Sequence, residues 1–366
     1  MKLMIAGGGT GGHLYIGIAL ARELQRRDPR HDVLFVGTRR GLEARIVPGH
    51  GFRLELITSG GLKGMGLWRL VRNAMMIPRS LLQSWRLVRA YAPQAVVGVG
   101  GYSSGPVVLA AWWSGKPTLI VEPNAFPGLA NRWLARVVDC AALALPDRGN
   151  HFGSRAVVTG IPVRREFREI PRRCHEAGKL HLLIYGGSQG SRALNAIVCR
   201  ALPELRALGA GLQICHQTGE KELEAVRSAY LEAEVQADVR AFLPRIYEDL
   251  ARADLVMCRA GAGTIAELTV AGKAALLVPF PGAADDHQVK NAMALQEHGA
   301  ARMIREPEWT AQRLAREISH YMDHPEELER MEEAARRLAR PAAAEQIADL
   351  LLGLAGNSGA GPPAAP

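Results

Sequence analysis

Leu3-Met4-Ile5-Ala6-Gly7-Gly8-Gly9-Thr10-Gly11-Gly12-His13 near the start of the chain and Leu182-Leu183-Ile184-Tyr185-Gly186-Gly187-Ser188-Gln189-Gly190 at its middle share one pattern. Four apolar residues run into a glycine-rich turn, and a helical pattern follows. After the first turn Leu14, Gly17, Ile18, Ala21 and Leu24 recur at helical spacing, with Arg26 and Arg27 closing the helix before Asp28-Pro29. After the second, Ala193, Leu194, Ile197 and Val198 repeat the pattern. Strand, glycine turn and helix, twice over, predict an α/β chain with two Rossmann-like parallel-sheet domains facing a cleft.

The rest of the chain fits that frame. Short runs, apolar nearly throughout as strands buried on both faces must be, predict strands at Val33–Val36, Leu54–Ile57, Ala95–Val99 and Thr118–Val121 in the first half. In the second half they fall at Gln213–His216, Arg240–Leu243, Leu255–Cys258 and Ala275–Val278. The boundary is placed near Gly160-Ile161-Pro162, giving a first domain over 1–163 and a second over 164–340 that opens with a basic linker, Arg164–Lys179. A C-terminal helix is expected over 341–355, and a Gly, Ala, Pro and Ser tail over 356–366 is expected to be disordered.

The chain has 366 residues, enough for two cores, with 22% charged residues and a net charge of +9. No apolar run approaches the roughly 18 residues of a membrane span, and Lys2 leads straight into a strand pattern, not a secretion signal. Five dispersed cysteines without C-x-x-C spacing suit reduced, mostly buried thiols, so neither a disulfide framework nor a metal site is expected. The positive balance favours an acidic partner. Its distribution says more: between Glu55 and Glu122 there is no acidic residue, while arginines are frequent.

A glycine turn that feeds a helix presents free N–H groups at the positive end of the helix dipole, where phosphate can approach without meeting a Cβ. A dinucleotide-binding reading also requires an acidic residue at the end of the second strand. Gly37-Thr38-Arg39-Arg40 stands there instead, with no acid until Glu43, which argues against a nicotinamide enzyme. His13 directly follows the first turn. A capping histidine is the ordinary alternative, but beside a phosphate-binding turn an imidazole could take a proton from an acceptor hydroxyl. Cys258-Arg259-Ala260-Gly261-Ala262-Gly263-Thr264-Ile265-Ala266-Glu267 makes another small-residue helix start, with Glu267 a turn beyond Gly263, where it could accept from both hydroxyls of a ribose or simply be solvated. Gln288 and Asn291 follow in a polar segment suited to sugar hydroxyls or to a plain surface loop.

Gly8-Gly9-Thr10-Gly11-Gly12-His13, Gly100-Gly101-Tyr102-Ser103-Ser104-Gly105-Pro106, Gly186-Gly187-Ser188-Gln189-Gly190-Ser191, His216-Gln217-Thr218-Gly219, Cys258-Arg259-Ala260-Gly261 and His287-Gln288 occur in that order. Over residues 3 to 350 the chain resembles the MurG family of GT-B glycosyltransferases. The resemblance implies transfer of N-acetylglucosamine (GlcNAc) from UDP-GlcNAc to undecaprenyl-pyrophosphoryl-MurNAc-pentapeptide (lipid I). The product would be lipid II for peptidoglycan, made at the cytoplasmic face of the cell membrane without cofactor or metal. It also implies roles. Leu243 backbone would pair with uracil and Glu267 would hold the ribose. Ala262, Gly263, Thr264 and Ile265 would receive the diphosphate with Ser188, and Gln288 and Asn291 would read the sugar. Gln189, Arg259 and Ala266 belong to the same motifs. Thr10, Gly11, Gly12 and Asn124 would approach from the first domain and Arg164 from the junction, with His13 as general base. The chain departs from the family pattern at Ile16, at Val121 and Pro123, and at Ile161. A different GT-B transferase, or a sugar-nucleotide epimerase, is the alternative.

Residues 63–91 interleave Trp68, Leu70, Leu81, Leu82 and Trp85 with Lys63, Arg69, Arg72, Arg79, Arg86 and Arg89, and Pro78 is expected to break or kink any helix there. An apolar face rimmed by arginine and tryptophan suits shallow insertion into an anionic membrane surface. Core packing would account for the aliphatics alone. No nucleic-acid motif accompanies the charge, so no nucleic-acid partner is expected.

Overall fold

The structure is a computed structural model that describes residues 1–8, 11–39, 43–59, 76–147, 149–187, 189–283 and 286–357. Thr10, Ser188, residues 63–75 and the tail beyond residue 357 lie outside the described residues. Two compact units divide the chain, residues 1–163 with the segment from Pro341 onward, and residues 164–340.

The first unit carries a seven-stranded parallel sheet in the order β3-β2-β1-β4-β5-β6-β7. Its strands are β1 (Lys2–Gly7), β2 (Asp32–Thr38), β3 (Arg53–Ile57), β4 (Ala95–Gly100), β5 (Thr118–Glu122), β6 (Cys140–Leu143) and β7 (Ala156–Val158). Met4 pairs with Leu34 on one side and Val96 on the other. Leu3, Met4 and Ile5 are wholly buried; each such side chain contributes about 1.5–3 kcal/mol of burial, which is why helices must cover both faces. Helix α1 (Gly11–Arg27) closes at the arginine pair, as its charge at the C-terminal end of the dipole favours.

The second unit repeats the plan with six parallel strands in the order β10-β9-β8-β11-β12-β13. These are β8 (Leu180–Tyr185), β9 (Leu212–Gln217), β10 (Ala237–Arg240), β11 (Leu255–Cys258), β12 (Ala274–Leu277) and β13 (Arg302–Met303). In each sheet the strand order reverses once, between β1 and β4 and between β8 and β11. Open α/β sheets bind ligands outside the carboxyl ends of the strands at such a switch point. All four strands flanking the two switch points run into glycine-rich turns.

Several expectations need correction. The strand expected at Arg240–Leu243 lies at Ala237–Arg240: Leu243 turns into the core and Phe242 is exposed, while polar Asp238 and Arg240 serve on an edge strand paired only with β9. Strands β6, β7 and β13, of four, three and two residues, are too short to stand out in the sequence, although β6 and β7 are wholly apolar. Pro78 neither breaks nor kinks a helix but opens α3 (Ile77–Tyr91), where its missing N–H costs nothing. The C-terminal helix (Ala343–Asn357) returns to the first unit, where Arg27 pairs with Asp349 and donates to the Glu345 carbonyl at 2.7 Å, and Ile347 and Leu351 are wholly buried. Of the cysteines only Cys140 and Cys258 are buried; Cys174 is exposed. Ile16, Val121, Pro123 and Ile161 are all buried, so the departures from the family pattern are packed into the core.

Candidate donor and acceptor sites

In the first unit the turns after β1 and β4 meet backbone to backbone. Gly8 N–H donates to the Gly100 carbonyl at 3.2 Å. Gly101 holds φ at +84°, and a Cβ there would collide with the Gly8 carbonyl. The His13 ring lies over Gly100, 2.6 Å from where a Cβ would stand, so glycine is needed to seat the imidazole. Gly11 opens α1, and a Cβ on exposed Gly12 would meet nothing, leaving the helix start open to a ligand. Glu43, cited above only as an acid too distant for a nicotinamide ribose, is buried against Gly8 and accepts from Thr38 N–H at 2.7 Å and Thr38 Oγ1 at 2.9 Å.

Asn124 follows β5. Its N–H and Nδ2 donate to Glu122 Oε1 at 2.9 and 3.2 Å, while Glu122 Oε2 accepts from Gly128 N–H at 3.0 Å and Asn131 Nδ2 at 2.8 Å. Burial raises the Glu122 carboxyl above its ordinary value against those four donors. Glu122 thus organises the loop that holds Asn124.

In the second unit Gln189 lies in the turn after β8, and Gly190 (φ +72°) backs onto the Thr218 carbonyl too closely for any side chain. Ser191 caps helix α6 (Arg192–Arg206), accepting from Leu194 N–H at 3.4 Å. The neighbouring His216-Gln217-Thr218 is a support. His216 is wholly buried between the Tyr230 hydroxyl (3.1 Å) and Asn195 Oδ1 (3.2 Å), and desolvation pushes it down to about 4, so it stays neutral. Gln217 accepts from Gly186 N–H at 3.1 Å.

After β11, Gly261 is extended and caps α9 (Ala262–Ala271) with no side chain, so the first amides of that helix remain available to an anion. A Cβ on Gly263 would meet nothing within 4 Å. One turn on, Glu267 makes no hydrogen bond to other described residues. Burial pushes its carboxyl up to about 7, opposed only by the Arg164 guanidinium, which stacks over Phe167 at 4.9 Å and Tyr247 at 5.6 Å. Ile265 is buried, whereas Thr264 and Ala266 are half-buried. Buried Leu243 leaves its main chain without bonds to other described residues.

Arg259, expected to bind substrate, is spent on the protein. It donates to the Val278 and Pro279 carbonyls at 3.1 and 3.3 Å and to Ser191 Oγ at 2.9 Å, pairs with Glu306, and lies over Phe280. It braces the two helix starts against each other. Gln288 and Asn291 sit on α10 (His287–Glu297), where Gln288 Oε1 accepts from Phe280 N–H at 2.9 Å and buried Asn291 donates to the Ala260 carbonyl at 3.2 Å. Gln288 Nε2 makes no bond to other described residues.

Comparison with known proteins follows the same division. The glycosyltransferase family 28 N-terminal domain matches residues 3–143 and the family 28 C-terminal domain residues 181–347. The UDP-N-acetylglucosamine–N-acetylmuramyl-(pentapeptide) pyrophosphoryl-undecaprenol N-acetylglucosamine transferase of Anaeromyxobacter dehalogenans (strain 2CP-1) is 51% identical over 97% of this chain and 93% of its own. The protein of that name from Myxococcus xanthus is 46% identical over the same shares. Among solved structures, Acinetobacter baumannii MurG superposes with a TM-score of 0.81 at 33% identity, covering 96% of this chain and 99% of its own. The calicheamicin glycosyltransferase CalG4, at 15% identity and a TM-score of 0.70 over 99% of each chain, shares the fold.

Proposed function

The chain belongs to glycosyltransferase family 28, and from that premise we propose that it moves GlcNAc from UDP-GlcNAc to the MurNAc 4-hydroxyl of lipid I, producing lipid II for peptidoglycan. The observation that carries the donor assignment is the start of α9: uncapped amides at Ala262, Gly263 and Thr264, with the Glu267 carboxylate one turn away making no hydrogen bond to other described residues. The amides and the dipole suit the diphosphate, and Glu267 accepts from the ribose hydroxyls. Leu243 main chain pairs with uracil. Gln288 Nε2 and Asn291 meet the sugar, while Gln189 and Ser188 border the diphosphate.

The first unit takes the acceptor. Its glycine turns (Thr10, Gly11, Gly12) and Asn124 suit a pyrophosphate and a sugar, and the imidazole of His13 removes the proton of the 4-hydroxyl as its oxygen attacks the anomeric carbon. The C1–O bond breaks with its electron pair passing to the β-phosphate of UDP, and the configuration at C1 inverts. Amides fixed before the reaction stabilise that developing charge without reorganising.

The surface proposed to meet the membrane lies in the first unit, on α3 and at the end of the helix that follows β4. Helix α3 buries Ser80 and Ser84 against its neighbours while Leu82 and Trp85 stay exposed, with Arg89 over the Trp85 ring at 4.8 Å. Val88 and Tyr91 pack the same helix into the core, so Leu82 and Trp85 are apolar residues that this packing leaves uncovered. Trp112 and Trp113 are exposed at the end of α4 (Ser104–Trp113), which packs on α3. No helix among the described residues is long and apolar enough to cross a membrane. This face therefore suits peripheral attachment to an anionic leaflet. Titration calorimetry tests the donor site: UDP-GlcNAc binds the wild type, and Glu267→Ala weakens it at least tenfold. An unchanged affinity contradicts the ribose assignment. Sedimentation with anionic vesicles at low salt tests the surface, and failure to co-sediment contradicts it.

A further inference from the structure

Beneath the start of α9 lies a buried hydroxyl without a well-formed hydrogen bond among the described residues. Tyr185 ends β8, pairs in register with Cys258 at the end of β11, and is 4% exposed. Its ring packs with Leu183, Val256, Cys258, Ile265 and Leu268, a setting that phenylalanine would fill equally well. The hydroxyl completes no hydrogen bond of good distance and angle to another described residue. Its polar neighbours are the Cys258 thiol and the Thr264 hydroxyl, with the Glu267 carboxyl close enough for its charge to be felt. A buried hydroxyl left without a well-formed hydrogen bond keeps its desolvation penalty, so a role in the liganded protein accounts for it better than packing does.

Thr264 is the third residue of α9, half-buried, with its N–H among the amides left open by Gly261. A threonine hydroxyl has one proton and two lone pairs. A diphosphate only accepts, so Thr264 must donate outward to bind it. Left alone, the hydroxyl can also turn back to a helix carbonyl.

We infer that Tyr185 is a positioning residue for the donor diphosphate: its hydroxyl donates to Thr264 Oγ1 and thereby fixes the Thr264 hydroxyl as a donor toward the anion over the helix start. This inference rests on the donor assignment above. The chain runs Tyr185 O–H to Thr264 Oγ1, then Thr264 O–H to a phosphate oxygen, and each link polarises the next.

The test is a double-mutant cycle on the full chain, with UDP titrated into wild type, Tyr185→Phe, Thr264→Ala and the double variant, well below the lowest Tm of the four. Tyr185→Phe weakens UDP about three- to tenfold without lowering Tm, and Thr264→Ala about tenfold or more. The double variant binds no more weakly than Thr264→Ala. Wild-type affinity in Tyr185→Phe, or losses that multiply in the double variant, would overturn the relay. So would an unaffected Thr264→Ala, although UDP binding by the wild type would leave the donor assignment standing. A wild type that ignores UDP would overturn the donor assignment and the relay together.

Discussion

Glu267 should hold unit two below its attainable stability, and Glu267→Gln measures by how much. Burial lifts the carboxyl from its ordinary value to about 7 in the folded chain, with Arg164 pulling the other way. A folded-state value raised above the unfolded one means that the fold binds the proton more tightly than the unfolded chain does. Stability therefore falls as pH rises from about 4.5 to about 7, and the full penalty persists above that. A shift of this size corresponds to at most about 3 kcal/mol at pH 8 and to under about 1 kcal/mol at pH 5. Glutamine keeps the shape and removes the charge. Urea denaturation of the full chain at both pH values reads the difference: Glu267→Gln gains stability over wild type at pH 8 and loses most of that gain at pH 5. Activity moves oppositely, because a glutamine in its place accepts less strongly from the ribose and the Michaelis constant for UDP-GlcNAc rises. In the wild type that constant should also rise as pH falls below 7, where the carboxylate is lost. A variant equally offset at both pH values, or one less stable at pH 8, would refute the claim that Glu267 is ionised at a cost.

His175, in the segment that opens the second unit, lies between Asp254 (3.1 Å) and Glu332 (3.3 Å), and those carboxylates raise it to about 9. Here the sign favours low pH: the contribution is complete below about 6.5 and is lost toward 9. Nearby Lys273, which burial lowers to about 8, changes stability in the opposite sense only above that pH. His175 should thus account for a loss of roughly 1–2 kcal/mol between pH 6.5 and 8, and in urea melts His175→Gln should lack that part of the slope and keep only the smaller fall due to Glu267. Gly263→Ala places a methyl where nothing stands within 4 Å, so helix propensity should raise stability by about 0.5–1 kcal/mol. UDP affinity should nevertheless fall, as read by calorimetry, because that space is where the phosphate approaches.

Much of this was legible in the chain. Leu255–Cys258 was readable residue for residue, because a strand buried on both faces is written in apolar residues alone, and Gly11–Arg27 because its helical stripe ends at an arginine pair. Edge strand β10 was misread: its polar residues satisfy backbone pairing with one neighbour, whereas the more apolar Phe242-Leu243 beyond it belongs to a loop. The switch-point turns were visible as glycines, but their reasons were not. That Gly101 must yield to the Gly8 carbonyl, or that Glu43 folds back against Gly8, depends on strands distant in sequence. Arg259 shows the limit most plainly. Its position inside a phosphate-binding motif suggested a ligand contact, while its guanidinium spans residues 191, 278, 279 and 306, a set no local pattern could reveal. Tyr185 read as one more strand residue, since nothing in sequence marks a hydroxyl as buried without a well-formed hydrogen bond among the described residues.

The central claim is tested most directly by incubating the purified chain with UDP-GlcNAc labelled in the sugar and a short-chain lipid I analogue, then following label and anomeric configuration. Labelled disaccharide lipid with a β linkage, equimolar UDP and no metal requirement are expected, with loss of turnover but retained donor affinity in His13→Ala. UDP-GlcNAc left intact, label released to water, or a retained α configuration would contradict that claim.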